Sequence, residues 1–193
     1  MPKRERPLVV AVCGSPGAGK TTVARATARR LGVLFLTRDE IKAGLGLSSA
    51  SVAEDGGVRL NPDFHVAGGP LSLRAEAVMV DAARGLASAG VSFVVESSVL
   101  SCTLVDALRA CEARVLAVHV VARDAVVDER LRARASGGGE VDRQLHSQFR
   151  RGEMKRSVFE PPGGVDAVVE VDTSDGRDPD TEAVEAAVVA LIR

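Results

Sequence analysis

The sequence predicts an α/β protein in which a parallel sheet is covered by helices on both faces. Three observations carry this expectation. Short apolar runs rich in β-branched residues alternate along the chain with segments of helical period. The first run, Leu8-Val9-Val10-Ala11-Val12-Cys13, is apolar throughout, the pattern of a strand buried on both faces. Directly after it, Gly14-Ser15-Pro16-Gly17-Ala18-Gly19-Lys20-Thr21-Thr22 fits GxxxxGK[ST] in full, between that strand and a helix. At 193 residues the chain suffices for one domain, 1–193, with its own core.

The glycine-rich loop has the chemistry of a phosphate-binding loop. Glycines at 14, 17 and 19 let consecutive backbone N–H groups turn inward, and the following helix presents its N-terminus to the same anion. Lys20 adds a positive charge that reaches the β and γ phosphates, and the Thr21 hydroxyl is placed to ligate Mg²⁺. The expected ligands are therefore ATP and Mg²⁺. Behind the loop, Val23, Thr27 and Leu31 recur every fourth residue until Gly32, a helix with a glycine cap.

Composition weighs against several function classes. A formal net charge of -1 argues against a general electrostatic grip on nucleic acid, and five aromatic residues, all Phe, argue against base-stacking platforms. No apolar run approaches membrane-spanning length, and the charged residues 1–7 lead straight into a strand rather than a signal sequence. Cys13, Cys102 and Cys111 share no CxxC spacing, so neither a zinc site nor a disulfide framework is indicated, and a cytoplasmic protein, monomer or homodimer, is expected. Asn61 is the only asparagine, so a guanine-reading NKxD motif is impossible.

The second strand, Val33-Leu34-Phe35-Leu36, is followed by Thr37-Arg38-Asp39-Glu40-Ile41-Lys42. Side chains just past the carboxyl ends of strands line the ligand crevice of such sheets, so Asp39 stands where a general base belongs, with Arg38 or Lys42 able to hold an anionic part of an acceptor. The alternative use of Asp39 is the N-cap of a helix starting at Glu40. Residues 44–69 are rich in Gly, Ser and Asp and lack period; they are expected to be a loop over the acceptor pocket, with His65 an ordinary surface residue. Pro70 opens a helix whose apolar face is Leu71, Ala75, Val78, Met79, Ala82 and Leu86, with Arg74 either facing the acceptor or solvated.

The third strand, Val91 to Glu96, ends in an acid that could serve the Mg²⁺ shell, the acceptor or the structure alone, with Ser97 and Ser98 as hydrogen-bond partners. Ser101 caps the next helix, in which Cys102 and Cys111 are packing residues. Val115 to Val121 is the fourth strand, and His119 within it a packed histidine. From Arg123 to Ala135 a helix carries Arg123, Arg130 and Arg134 within about 40° of one another, a phosphate clamp or a solvated basic face. Ser136-Gly137-Gly138-Gly139 forms a joint before a second helix with Val141, Leu145 and Phe149 at period four and Arg143, Arg150 and Arg151 around them. A hinged basic segment suits a lid, about 123–160. Val168 to Val171 is the fifth strand, and an amphipathic helix closes the chain from Thr181.

This order of parts resembles the small P-loop kinases of the adenylate-kinase-like group. The branch concerned includes chloramphenicol phosphotransferase-like, gluconate kinase-like and zeta-toxin-like enzymes and polynucleotide kinase domains, and the likeness to its AAA-type ATP-binding domain covers nearly the whole chain. Leu36-Thr37-Arg38-Asp39-Glu40-Ile41-Lys42 is similar to the branch's strand-two signature, in which the Asp activates the acceptor hydroxyl. Polynucleotide kinases commonly carry Arg three residues after that Asp; this chain has Lys42. The resemblance implies a three-layer P-loop NTPase fold with five parallel strands in the order 2-3-1-4-5 and a helical lid. It also implies that Arg130 and Arg134 lie near the adenine and the transferred phosphate, and that Asp172 to Asp175 forms an adenine-side loop.

The expected activity is transfer of the γ-phosphate of ATP to a hydroxyl of a small molecule such as an antibiotic, nucleoside or sugar. Lys20, Asp39, Arg130 and Arg134 would be catalytic, and Arg38, Lys42, Arg74 and Glu96 would bind the acceptor. The alternatives are a polynucleotide 5′-hydroxyl kinase and a regulatory ATPase without an acceptor.

Overall fold

A computed structural model describes residues 6–66, 68–176 and 181–193. The charged residues 1–5, weighed above against a signal sequence, lie outside them, as does Ala67 of the 44–69 segment. Strand β1 (Leu8–Cys13) enters the phosphate loop, and α1 (Lys20–Leu31) leaves it. Then follow β2 (Leu34–Thr37) and α2 (Arg38–Ser48), the two-residue strands β3 (Ser51–Val52) and β4 (Val58–Arg59), and α3 (Pro70–Ser88). After α3 come β5 (Phe93–Glu96), α4 (Cys102–Ala110), β6 (Arg114–Val121), α5 (Asp124–Gly137), α6 (Glu140–Arg150), β7 (Ala167–Asp172) and α7 (Glu182–Ile192).

The main sheet has the order β2-β5-β1-β6-β7, all pairs parallel, which is 2-3-1-4-5 when its own strands are counted. Burial follows position. β1 and β5 are buried at every residue, whereas the edge strand β2 begins with an exposed Leu34 and β7 alternates until Val171. Alternate residues of β1 build two cores. Val9, Ala11 and Cys13 pack with Met79, Ala83, Leu104 and Leu108 of α3 and α4. Val10 and Val12 pack with Val23 and Ala24 of α1 and Val184 and Val188 of α7. Hence three layers, with α1 and α7 on one face and α3 and α4 on the other.

Several expectations shift. Helix α2 starts at Arg38, not Glu40, with Thr37 in the N-cap position, so Asp39 is a first-turn residue and not the cap. In α3 the buried residues are Leu71, Ser72, Ala75, Met79, Val80, Ala83 and Ala87, while Val78 is 39% exposed. The stripe is thus rotated toward Val80 and Ala83, because α4 packs beside the sheet and draws those positions inward. Helix α5 runs on to Gly137, leaving Gly138 and Gly139 as the joint.

The 44–69 segment holds more structure than its composition suggests: the end of α2, the small antiparallel β3–β4 pair, and a 3₁₀ turn at Pro62–His65 capped by the Asn61 side chain. That turn packs on α2 through Phe64, whose ring occupies the space a side chain at Gly46 would need. Gly32 and Ser101 cap α1 and α4 as expected. His119 is partly buried, 3.7 Å from Glu170 of β7. Among the described residues, no helix is long and apolar enough to cross a membrane.

Two consequences follow from the packing around β1. Gly14 has φ +144°, and a Cβ there would overlap the Val120 carbonyl oxygen of β6. Gly14→Ala is expected to cost about 3 kcal/mol or more, from backbone strain and overpacking together, and to lower the thermal unfolding midpoint clearly. Cys13 is fully buried, and burial pushes its thiol up to about 12 against the smaller pull of the Lys20 charge, whereas Cys102 is exposed. Iodoacetamide at neutral pH, read by peptide mass, should therefore label Cys102 in the native protein and Cys13 only after unfolding.

Candidate active site

The register of the sheet assembles the site. Thr37 of β2, Glu96 of β5 and Val12 of β1 lie abreast at the carboxyl end of the sheet, just below the phosphate loop. The Thr37 hydroxyl donates to the Glu96 carboxylate at 2.7 Å, and both side chains are buried. Glu96 therefore has the hydrogen-bond partner that a buried carboxylate requires. Ser97, next along, is buried, and its hydroxyl has no hydrogen-bond partner among the described residues.

Above them, α1 begins at Lys20 behind an N-cap Gly19 in left-handed conformation, with no side-chain cap, so its N-terminus stays open to an anion. The Lys20 ammonium donates to the Ser15 carbonyl at 3.2 Å and is only 8% exposed. Burial lowers its pKa, while the negative charges of Glu96 and Asp39 pull it back up and Arg134 and Arg38 oppose them. The exposed Thr21 and Thr22 stand on the first turn beside it.

On the acceptor side, Asp39 projects from α2 with its side chain 76% exposed, 3.8 Å from the Arg38 guanidinium. Lys42, one turn on, is buried; its ammonium donates to the Val66 carbonyl at 2.9 Å and lies 5.7 Å from the centre of the Phe64 ring. It borders the cleft but spends its charge holding the 62–66 turn.

The arginines of α5 separate by role. Arg123 is bound to Ser174 through both its backbone N–H and its guanidinium. Arg130 donates to the Gly17 carbonyl at 3.2 Å, to the Thr173 hydroxyl at 2.9 Å and to the Thr173 carbonyl at 2.8 Å. Thr173 in turn donates to the Ala18 carbonyl at 2.6 Å, so Arg130 and Thr173 lock the loop to the end of β7. Arg134 is exposed and borders the cleft with Lys20.

A cleft of about 450 Å³ joins these parts: Lys20, Thr21 and Thr22 on one side, Arg38, Asp39 and Lys42 on another, Arg134 and α6 above. Arg74 is exposed and does not border it. Sequence reasoning missed Ser72, Gln148 and Lys155, which do; they come from α3, α6 and the segment after α6 and share no motif. It also missed Thr173, for which only the segment Asp172 to Asp175 gave a signal.

The residues fit a nucleoside triphosphate. Gly19 lines a cradle in which a Cβ would come within 3.3 Å of the Thr173 hydroxyl, and a nearly buried ammonium stands beside an uncapped helix N-terminus. Among the described residues no group of three or more His, Cys, Asp or Glu is arranged to hold a metal. A divalent ion here would accordingly rely on the Thr21 hydroxyl and on phosphate oxygens, as is usual for Mg²⁺.

Comparison with known proteins shows the same fold elsewhere. The chain is similar to a candidate kinase from Chloroflexus aurantiacus J-10-fl, with a TM-score of 0.70 at 19% identity over 95% of this chain and 97% of that one. It is also similar to the APS kinase of Mycobacterium tuberculosis, solved in complex with AMPPNP and APS, with a TM-score of 0.55 at 18% identity over 96% and 98% of the two chains. These likenesses show a shared fold, the one the sequence resemblance implied. In sequence, 54 residues are 57% identical to a shikimate kinase of Thermobifida fusca, a match that spans 26% of this chain and 30% of that protein. The profile of the AAA domain family matches residues 9–161, well over half the length, and the chain belongs to that family.

Proposed function

We propose that the protein is an ATP-dependent phosphotransferase that moves the γ-phosphate to a hydroxyl of a small molecule. The observation that carries this is the exposed Asp39 carboxylate on the same cleft as Lys20 of the phosphate loop. A carboxylate there can take the proton of an attacking hydroxyl, and the open cleft beside it leaves room for an acceptor larger than water.

In this reading the loop residues 14–22 and the α1 N-terminus bind the triphosphate, and Arg130 braces the loop on the adenine side. Asp39 accepts the proton of the acceptor hydroxyl as its oxygen bonds to the γ-phosphorus; the bond from phosphorus to the bridging oxygen breaks and ADP leaves. Lys20 and Arg134 offset the negative charge that gathers on the transferring group. Arg38, adjacent to Asp39, orients the acceptor, and Glu96 acts through Thr37 and the field at Lys20 rather than by touching it. Mg²⁺, held with the help of Thr21, would supply charge neutralisation on the phosphates. The segment 123–160, jointed at Gly138 and Gly139, serves as the lid, and a reducing cytoplasm suits three free cysteines.

The test replaces Asp39 by Asn and follows transfer of labelled phosphate across a panel of hydroxylated compounds. Transfer should fall by about 10²–10⁴-fold, as for loss of a general base, with nucleotide affinity retained. Undiminished transfer removes Asp39 from the role, and ATP turnover that needs no acceptor favours an ATPase instead.

A further inference from the structure

Helix α6 is amphipathic yet buries none of its residues in the core. Its apolar stripe is Val141, Leu145 and Phe149, at spacings that bring all three to one face. A stripe of this kind normally faces a core. Here Val141 and Leu145 border the cleft of the proposed active site, and Phe149 borders a second cavity of about 230 Å³. The two cavities meet at Met154 and Phe159, which line both.

The second cavity lies against the end of β6, walled by Val121, Ala122 and Val127 and touching Ser15 of the phosphate loop. Its ionic residues Asp124 and Arg156 are already paired with each other at 2.6 Å. At about 230 Å³ the cavity has room for a ring, since about 150 Å³ suffices for benzene in an apolar cavity; its polar lining is Ser15, His119 and the Asp124–Arg156 pair, and the rest is mainly apolar. Toward the mouth of the cleft, Val158 is 53% exposed and extends the same apolar surface.

The polar side chains of the cleft, Arg134, Gln148 and Lys155 among them, gather at the reacting end, while Lys42 is engaged with Val66.

We propose that the phosphate acceptor is an amphiphilic alcohol, with a hydroxyl presented to Asp39 and an apolar, ring-sized body that lies along α6 and ends in the cavity beneath Phe149. This rests on the phosphotransferase reading. The apolar wall supplies affinity by covering the ring, and Asp39 selects the hydroxyl end.

The test uses the full chain with Mg²⁺ and AMPPNP, cinnamyl alcohol and glycerol as probes, and saturation-transfer NMR as the readout. Cinnamyl alcohol should receive saturation most strongly at its ring protons, and glycerol should receive none. Ala122→Phe, which fills the inner cavity, and Val158→Asp, which charges the exposed wall, should each weaken cinnamyl alcohol binding about tenfold or more, the scale of a lost apolar contact. AMPPNP affinity should not change. Because Val158 is exposed, its replacement leaves the fold intact even if Ala122→Phe does not. Absent ring saturation, saturation indifferent to both substitutions, or preferential glycerol binding overturns the inference. Phosphate transfer to the same two alcohols is measured in parallel. Transfer to glycerol alone overturns the amphiphilic acceptor and leaves the phosphotransferase standing. Ring binding with no transfer to any alcohol in the panel instead removes the phosphotransferase reading, and the acceptor assignment with it.

Discussion

The Thr173 hydroxyl accepts from Arg130 and donates to the Ala18 carbonyl, and through it a glycine-rich loop acquires one shape. A trans peptide points its C=O and N–H in opposite directions, so pulling the Ala18 carbonyl outward turns the Gly19 N–H inward. The Gly14 N–H is meanwhile tied to the Ser98 carbonyl at 3.2 Å, and the Gly17 carbonyl to Arg130. The segments just past β5 and β7 and the helix α5 thus all hold the loop. A glycine-rich chain loses much entropy when ordered, and these outside contacts are what offset that cost before any ligand arrives.

The second dependence is electrostatic. A nearly buried lysine is unfavourable in its charged form unless negative charge stands near it. Glu96 at the end of β5 and Asp39 in the first turn of α2 supply that charge, one buried and tied to Thr37, the other exposed at the cleft. The division matters. Glu96 cannot leave its hydrogen bond without unsettling the ends of β2 and β5, whereas Asp39 has the exposure that proton transfer to a substrate requires.

Charge counting overstates the cations available to a ligand. Arg123, Arg130 and Arg134 form one basic face in sequence, yet the protein spends Arg123 on Ser174 and Arg130 on the loop and Thr173. Lys42 likewise serves the Val66 carbonyl. The loop of residues 62–66 is thereby fastened to α2 through a buried cation and the Phe64 ring, a contact between segments about twenty residues apart that no local period announces.

The central strands, the phosphate loop and the caps at Gly32 and Ser101 were legible because each is dictated locally. A strand buried on both faces must be apolar throughout, and a left-handed turn selects glycine. The placement of Asp39 on the cleft was also legible, since it follows a strand end. What needed the tertiary structure was everything set by a neighbour distant in sequence: the rotation of α3 toward α4, the exposure of Arg74 away from the cleft, the Thr37 partner of Glu96, and Thr173 as the brace of the loop. The stripe of α6 shows the difference most plainly. Its period marks one apolar face on a jointed basic segment, and only the arrangement of the other elements leaves the cleft beneath that face. Periodicity reports that a face is apolar; what covers that face is decided by packing.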